Sequence, residues 1–485
     1  MIKQCRSFVG GAWVEHPRAE RLPIISPIDE SVIAELQEAD AVIVDRAVMT
    51  ARRSFEAGTW RHAAVAQRQA VLRRIHDLIL RDADRLAELE CANTGIPIRQ
   101  VRERHVPRAA TNFAFFAEVI GQQSGQVFEQ QSPYLTIVRH EPLGVAALIA
   151  PWNAPIALAT MELAAALAFG NSCVLKPSEL TPLEFEPLME ICREAGLPDG
   201  VVNLVNGRGA VTGAALVSHD DVDVVAFIGG TETGRTIGEA AGRGLKNYLA
   251  ELGGKSANII AADADLDRAL DAALLGIFSN NGQQCLAGAR ILVERGIAAG
   301  FIDRFVERTK RLRVGDPRDP ATEIGPVINR AQYDRVLRFA GDAELRCGGT
   351  RAPGFDKGFY VQPTVAVAAS NDLPLCQEEI FGPFATFLIF EDIDDAIRIA
   401  NDSRYGLVGY LWSNHWPTIA KVTTELQTGT IWVNTPVARD LRAPFGGYKE
   451  SGLGRTGGEA SRRHFTEEKV ITLPLGEFAI ARLGI

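Results

Sequence analysis

The hydrophobic positions of this chain change their period along its length. From Val65 to Glu90, Leu72, Ile75, Ile79, Leu86 and Leu89 recur at helical spacing with Arg and Asp on the other face, and Gly95 follows as a stop. That pattern predicts one amphipathic helix. From Gly144 onward, short apolar runs alternate with helical segments. Gly144–Ala150, Cys173–Leu175, Val201–Val205 and Val224–Ile228 read as buried strands, with Pro155–Phe169, Pro182–Ala195 and Gly234–Ala241 as helices between them. Alternation of this kind predicts βαβ units and a parallel sheet covered by helices on both faces. A second α/β region runs from about Ser256 to about Gly429, jointed by the Pro/Gly-rich stretches Gly315–Pro320 and Pro353–Gly358. After His464 the tail alternates weakly through Val470, Thr472 and Pro474, which predicts an exposed strand in need of a partner.

Composition narrows the class without naming a function. A chain of 485 residues exceeds one ordinary core, so two or three structural units are expected. With 46% hydrophobic and 23% charged residues it reads as globular, and a formal charge of -9 without a Lys/Arg block excludes a nucleic-acid footprint. The seven cysteines form no C-x-x-C pair and no group with histidines, which argues against a disulfide framework or a zinc site; no metal is expected. The N-terminal stretch lacks a secretion signal, and the apolar runs are broken well short of a membrane span. The expected setting is the reducing cytoplasm.

Four short segments carry candidate chemistry. The strand Val224–Ile228 runs through Gly229-Gly230-Thr231-Glu232-Thr233-Gly234 into a helix, a turn that lets a pyrophosphate approach backbone N–H groups. Its spacing is G-x-T-x-x-G rather than G-x-G-x-x-G, and alone it could be any Gly-rich βα turn. Cys285 ends the polar stretch Asn280-Asn281-Gly282-Gln283-Gln284. A free cysteine is more often a small buried hydrophobe, although a polar, Gly-containing surround gives a reactive thiolate its access. Glu251 precedes Leu252-Gly253-Gly254-Lys255, and by itself is a loop carboxylate. Asn153, in Pro151-Trp152-Asn153-Ala154-Pro155, follows a predicted buried strand at the edge where ligands of open α/β sheets collect, or merely caps a turn between prolines.

Taken together, in this order and spacing, these segments resemble the aldehyde dehydrogenase superfamily. Lys176-Pro177-Ser178-Glu179, Glu378-Glu379-Ile380-Phe381-Gly382-Pro383 and Pro444-Phe445-Gly446-Gly447-Tyr448-Lys449 with Ser451-Gly452 add to the likeness, which extends from Phe8 to Lys469. The fold it implies is α/β: two doubly wound α/β domains plus a β oligomerisation arm. Residues 1–123 and 143–252 would form the NAD-binding domain, 253–451 the catalytic domain, and 124–142 with 465–485 the oligomerisation segments of a homodimer or homotetramer. By the same resemblance, Cys285 is the nucleophile that forms a thiohemiacetal and then a thioester, Asn153 an oxyanion donor, and Glu251 the base that activates water. Cofactor roles fall on Trp152 and Lys176 near the adenosine, Gly229 and Gly234 beneath the pyrophosphate, and Glu379 and Phe381 around the nicotinamide ribose. Glu179 matches a residue near the adenine ribose hydroxyls; a carboxylate there accepts from the 2′-OH and repels a 2′-phosphate, so NAD is preferred to NADP.

The likeness is incomplete at three positions. Gly230 stands where the family usually has Ser, Glu162 where it has Lys, and Thr456 where a Glu is common. In relatives the latter two lie near a proton path from the base, so Glu251 is expected to exchange its proton by another route. Before Pro444 the chain carries Arg439-Asp440-Leu441-Arg442, and Arg108 matches a second pocket-mouth position. Both features resemble the 2-hydroxymuconate and 2-aminomuconate semialdehyde dehydrogenases, which implies that Arg108, Arg439 and Arg442 hold the distant carboxylate of a semialdehyde. The competing readings are an enzyme for neutral aliphatic or aromatic aldehydes, a reductive or acylating enzyme using the same cysteine, and a non-catalytic binding or structural protein of this fold.

Overall fold

The computed structural model describes residues 3–129 and 133–484. Val224–Ile228 is a fully buried strand, as its unbroken run of apolar residues requires when both faces of a sheet are covered. It lies between Asn247–Glu251 and Val145–Ile149, and beyond the latter come Ser172–Lys176 and Val202–Leu204, all parallel. Antiparallel strands finish both edges. Gly452–Leu453 joins Asn247–Glu251, and the hairpin Ser7–Val9/Ala12–Val14 joins Val202–Leu204. That hairpin turns on Gly10 and Gly11, both at positive φ, a conformation open to glycine in a two-residue turn.

Helices cover both faces of this sheet. Leu72, Ile75, Phe113, Phe116 and Leu163 pack on one, and Val44, Val48, Leu216 and Ala241 on the other. The expected single helix over Val65–Glu90 is two, Val65–Arg81 and Ala83–Thr94. The carboxylate of Asp82 accepts from Nε and Nη2 of Arg81, the kind of local side-chain bond that draws Asp out of helix interiors. Leu72, Ile75, Ile79 and Leu86 remain buried across the break. Gly95 ends the second helix in the left-handed conformation.

A second sheet runs Leu345–Cys347, Thr364–Val367, Phe384–Phe390, Arg290–Glu294, Ala257–Ile260, Val408–Trp412, Thr430–Val433, parallel except at the Leu345–Cys347 edge. Its last strand begins one residue beyond the expected limit at Gly429. The weakly alternating tail forms Thr466–Pro474 and pairs antiparallel with Tyr134–Pro142, which also pairs with Gln126–Glu129. This arm is separate from both larger sheets. Val127, Phe128 and Val470 on it are exposed. Among the described residues no helix is long and apolar enough to cross a membrane.

In the first sheet, strands 145–149 and 224–228 are neighbours although one leads onward through 172–204 and the other through 247–251. Strand order therefore reverses between them, and a crevice opens at their carboxyl ends. Pro151 to Asn153, Lys176, Gly229 and Glu251 all follow those ends.

The turn leaving Glu251 is pinned from the second sheet by Arg290. This guanidinium, 2% exposed, donates to the carbonyls of Lys255 (3.0 Å), Ile399 (2.9 Å) and Ala400 (2.8 Å) and to Asn371 Oδ1 (2.9 Å). Burial pushes its pKa down to about 10, so the four acceptors must hold the charge in place. Replacing Arg290 with Met would strand three buried carbonyls. Arg290→Met should lower the unfolding free energy by about 3 kcal/mol, read from urea unfolding curves. A loss below about 1 kcal/mol would mean that water restores those bonds.

Candidate active site

The segment before Cys285 is an uncommon stretch of backbone. The helix Leu266–Phe278 ends, and Asn280 (φ 58°), Asn281 (φ 55°) and Gly282 (φ 72°) follow one another in the left-handed region. Asn tolerates this region better than other side-chain-bearing residues, and Gly tolerates it freely. Side chains hold the run in place. Asn281 Nδ2 donates to the carbonyls of Gly95 and Pro326 (2.9 Å each), while its Oδ1 accepts from Gly325 N–H at 2.8 Å. Asn280 Nδ2 donates to the carbonyls of Asn153 (2.6 Å) and Gln283 (2.9 Å), and its N–H reaches Gln100 Oε1. Gln283 Oε1 accepts from Ile328 N–H at 3.0 Å. Gly282 packs so closely on the Gly382 carbonyl that a side chain there would overlap it.

Cys285 is thereby delivered to a cavity of about 270 Å³ that Asn153, Glu251, Glu379 and Phe381 also line. Asn153 is buried and its Nδ2 donates to the Gln283 carbonyl at 3.0 Å, which orients the amide nitrogen toward the cysteine segment and leaves its second hydrogen unassigned. Glu251 ends its strand between Ile228 and Gly452. Two glycines later the backbone of Gly254 lies directly against the Cys285 carbonyl, where a side chain would strike it. Glu379 Oε1 accepts from Gly254 N–H at 3.0 Å. Phe381 sits at φ 60°, edge-on to Trp152 at 5.2 Å between ring centres. Gln332 and Arg335 hold it there, Gln332 Nε2 donating to the carbonyls of Ile380 and Phe381 and Arg335 Nη2 to that of Glu379.

Burial dominates the electrostatics. It pushes the Cys285 thiol up to about 12, with the charges of Glu379 and Glu251 adding to the effect. Glu251 is raised well above the ordinary carboxylate range, first by burial, against the lowering influence of Arg439, and neither of its oxygens has a hydrogen-bond partner among the described residues. Glu379 is pushed up to about 7 for the same reason, offset by the Gly254 N–H. Lys255, buried with no hydrogen-bond partner for Nζ among the described residues, is pushed down to about 7. Buried titratable groups shifted in this way mark a working site more often than a structural one.

A larger cleft of about 880 Å³ shares Pro151, Trp152, Ile228, Gly229 and Gly230 with this cavity and extends past Lys176 and Glu179. Lys176 is 2% exposed; its Nζ donates to the Pro177 carbonyl and lies 3.8 Å from Glu179. The helix Thr231–Arg243 opens onto the cleft with no side chain capping its first N–H groups. An uncapped helix start, a buried ammonium and a carboxylate along one groove fit a dinucleotide, with phosphates on the first two and ribose hydroxyls on the third.

The family model "Aldehyde dehydrogenase family" matches residues 13–471. The chain belongs to the aldehyde dehydrogenase family. It is 42% identical over 448 residues to the 5-carboxymethyl-2-hydroxymuconate semialdehyde dehydrogenase of Escherichia coli, covering 90% of this chain and 94% of that one. It is also 40% identical over 481 residues to mouse retinal dehydrogenase 2, covering 98% and 92%. A solved NAD+ complex of an aldehyde dehydrogenase from Bacillus cereus superposes with a TM-score of 0.95 at 36% identity, covering 98% and 97%.

Not every residue singled out in the sequence reaches the site of this aldehyde dehydrogenase. Gly234 lies inside the helix Thr231–Arg243: its N–H is bonded to the Gly230 carbonyl, and a Cβ there would come 2.5 Å from Leu252. It brings helix and strand together instead of facing the cleft. Arg442 is 82% exposed at its side chain and forked onto Asp440, away from Cys285. Arg439, three residues earlier in the same loop, is half-buried. Its Nη2 lies 3.1 Å from both Met161 Sδ and Thr456 Oγ1, and the guanidinium stacks 4.2 Å over Phe445. Arg108, on the helix Val106–Gly121, is tied through Nε to Asn112, whose amide donates to Ala157 and Thr160 on the helix that follows Asn153. Gln100, Gln332 and Arg335 carried no sequence signal. The Asn-Asn-Gly run did: it is a composition suited to left-handed backbone.

The raised thiol has a direct consequence. Without cofactor, alkylation of Cys285 by iodoacetamide should climb roughly tenfold per pH unit through about pH 9 to 10, where an ordinary cysteine with a pKa of about 8.5 has levelled off. Peptide mass spectrometry of the alkylated protein reads this, and a plateau near pH 8.5 would contradict it.

Proposed function

We propose that this protein oxidises a carboxylated semialdehyde to the corresponding acid with NAD+ as oxidant, Cys285 being the nucleophile. The observation that carries the chemistry is the convergence of Cys285, Asn153 and Glu251 on one cavity continuous with the dinucleotide cleft. The Cys285 thiol gives up its proton to solvent water and the sulfur attacks the aldehyde carbon. The oxygen of the resulting thiohemiacetal takes hydrogen bonds from the Asn153 amide and the Cys285 N–H, a kind of donor worth about 10² to 10³ in rate. A bound nicotinamide supplies the hydride acceptor, and loss of hydride from carbon leaves a thioester on Cys285. Glu251 draws a proton from water, the hydroxyl adds to the thioester carbon, and the thiolate departs as the free acid forms. Trp152, Lys176, Glu179 and Gly229 line the groove that would take the adenosine and pyrophosphate, and Glu379 and Phe381 the nicotinamide ribose. Glu179 favours NAD over NADP. We assign residues 1–123 and 143–252 to the cofactor unit, 253–451 to the catalytic unit, and the exposed arm to association with further copies of the chain.

Glu251→Gln should leave acylation possible and stall hydrolysis, because an amide takes no proton from water. Mixing with aldehyde and NAD+ should release about one NADH per site and leave a covalent acyl adduct visible by mass spectrometry. Steady turnover at the original rate would remove Glu251 from this role.

The substrate class rests on Arg108 and Arg439. Burial holds both below their ordinary pKa, Arg108 to about 9 with the Arg439 charge adding to the effect, and neither forms an ion pair among the described residues. Arg108 Nη2 and Arg439 Nε have no hydrogen-bond partner among the described residues. Two half-buried guanidiniums near enough for one charge to bear on the other are costly unless an anion joins them, and a carboxylate on the substrate is such an anion. Similarity to the muconate semialdehyde enzyme supports this reading; similarity to the retinal enzyme supports a neutral aldehyde instead. Arg439→Ala should reduce kcat/KM for a carboxylated aldehyde roughly 10- to 100-fold more than for a neutral one of equal length, mostly through KM. Equal losses on both substrates would favour the neutral aldehyde.

A further inference from the structure

Glu162 has no part in the chemistry so far, yet it is the only charged residue on the helix Pro155–Ala168 and is wholly enclosed there. Neither of its oxygens has a hydrogen-bond partner among the described residues. An unpaired carboxylate in such a place costs several kcal/mol, so a neighbouring charge must hold it or it must keep its proton. That charge is Arg439. Its Nη2 touches Sδ of Met161, the residue before Glu162, and its guanidinium covers Phe445. Gly446 comes next, and a Cβ on it would stand 2.9 Å from Glu251 Oε1. Arg439 is thus close enough to both buried carboxyls for the charge of each to act on it, without an ion pair to either among the described residues.

We propose that Glu162 is a positioning residue for the base, acting on Glu251 as a like charge within the field of Arg439 and so setting how strongly Glu251 holds its proton. One guanidinium cannot satisfy two enclosed carboxylates, and the pair titrates as a unit with its protons leaving in separate steps. Burial pushes Glu162 up to about 7 against the pull of Arg439, while the charge of Glu162 adds to the rise of Glu251. The other charges bearing on Glu251 and Arg439 are Arg455, Cys285 and Arg108. The remaining titratable groups on elements packed against the Glu162 helix include Arg68, Lys176, His464 and the Glu459–Arg462–Arg463 cluster; among all of these, Arg439 is the one whose charge bears on Glu162. Thr456 offers Arg439 a hydroxyl and no charge, so before a substrate carboxylate arrives the charges acting on the guanidinium are those of the two acids and Cys285.

The sign of the effect is fixed. Glu251 acts as a base only when ionised. Removing the Glu162 charge takes away a like charge and frees Arg439 for Glu251, so the base ionises at lower pH. This inference rests on Glu251 being the base. The test is decay of the preformed acyl-enzyme across about pH 5 to 9 in wild type, Glu162→Gln and Glu162→Asp. In Glu162→Gln the acidic limb should move down by about one pH unit or more, with a lower plateau from the weaker base, and in Glu162→Asp it should return toward wild type. Burst amplitude should stay near one NADH per site. Glu162→Met, which fills the space without polar atoms, gives the same readout if the Gln variant does not fold. A limb that stays in place or moves up in the charge-free variants overturns the proposal. If Glu251→Gln stalls as expected and the limb does not move, this inference alone falls; normal turnover of Glu251→Gln removes the reading beneath it.

Discussion

The site depends on three consecutive left-handed residues, Asn280, Asn281 and Gly282, held by side-chain amides. Left-handed backbone costs an L-residue roughly 1 to 2 kcal/mol, and a short unsupported run would relax. Here each amide is used at several atoms. Asn281 reaches the Gly95 carbonyl, itself the cap of a helix from the first sheet's covering layer, and the Pro326 carbonyl from the opposite side. Asn280 reaches the carbonyl of Asn153. The segment that carries the cysteine is thus bonded to both halves of the molecule, and Asn153, Gly254 and Gly382 close around it as a result. Local strain at the nucleophile is tolerated because the surroundings over-determine it.

The distribution of charge follows from the same enclosure. Most ion pairs are exposed and of small energetic value, such as Arg243–Glu239 or Arg295–Glu391. Around the cleft the pattern reverses. Glu251, Glu162 and Lys255 are buried, and Arg108 and Arg439 half-buried, with polar atoms that have no hydrogen-bond partner among the described residues. A stable core would have replaced them with apolar residues, so their retention is a cost in stability borne at the place where a substrate, a cofactor or a proton can offset it. Arg290 shows the contrast: it is just as buried, but four acceptors surround it and its role is to hold the turn beyond Glu251.

Much of this was legible from the residues alone. Unbroken apolar runs between turn residues marked Val145–Ile149, Ser172–Lys176 and Val224–Ile228 closely, because a strand buried on both faces needs apolar side chains at every position. The weak alternation after His464 marked Thr466–Pro474, half-exposed and paired on one side. The family followed from the order and spacing of motifs that are individually weak. The break at Asp82 was not legible: an Asp inside an amphipathic pattern is compatible with continuation, and its fork onto Arg81 depends on rotamers that a sequence does not specify.

Tertiary structure decided the rest, since it alone brings together residues hundreds of positions apart. Two arginines three residues apart in one loop look equivalent as sequence, yet Arg439 turns inward over Phe445 while Arg442 turns outward onto Asp440. Gly234 matches a phosphate-loop spacing, but its N–H is spent inside the helix and its missing side chain makes room for Leu252. Glu162 reads as an interruption in an apolar helix until Arg439 and Glu251 are seen beside it. Periodicity and turn chemistry are local and act within a few residues, so the sequence by itself determined the elements and the motifs. The electrostatic environment of a buried group is set by whatever the fold places within a few ångströms of it, and only the folded chain decides that.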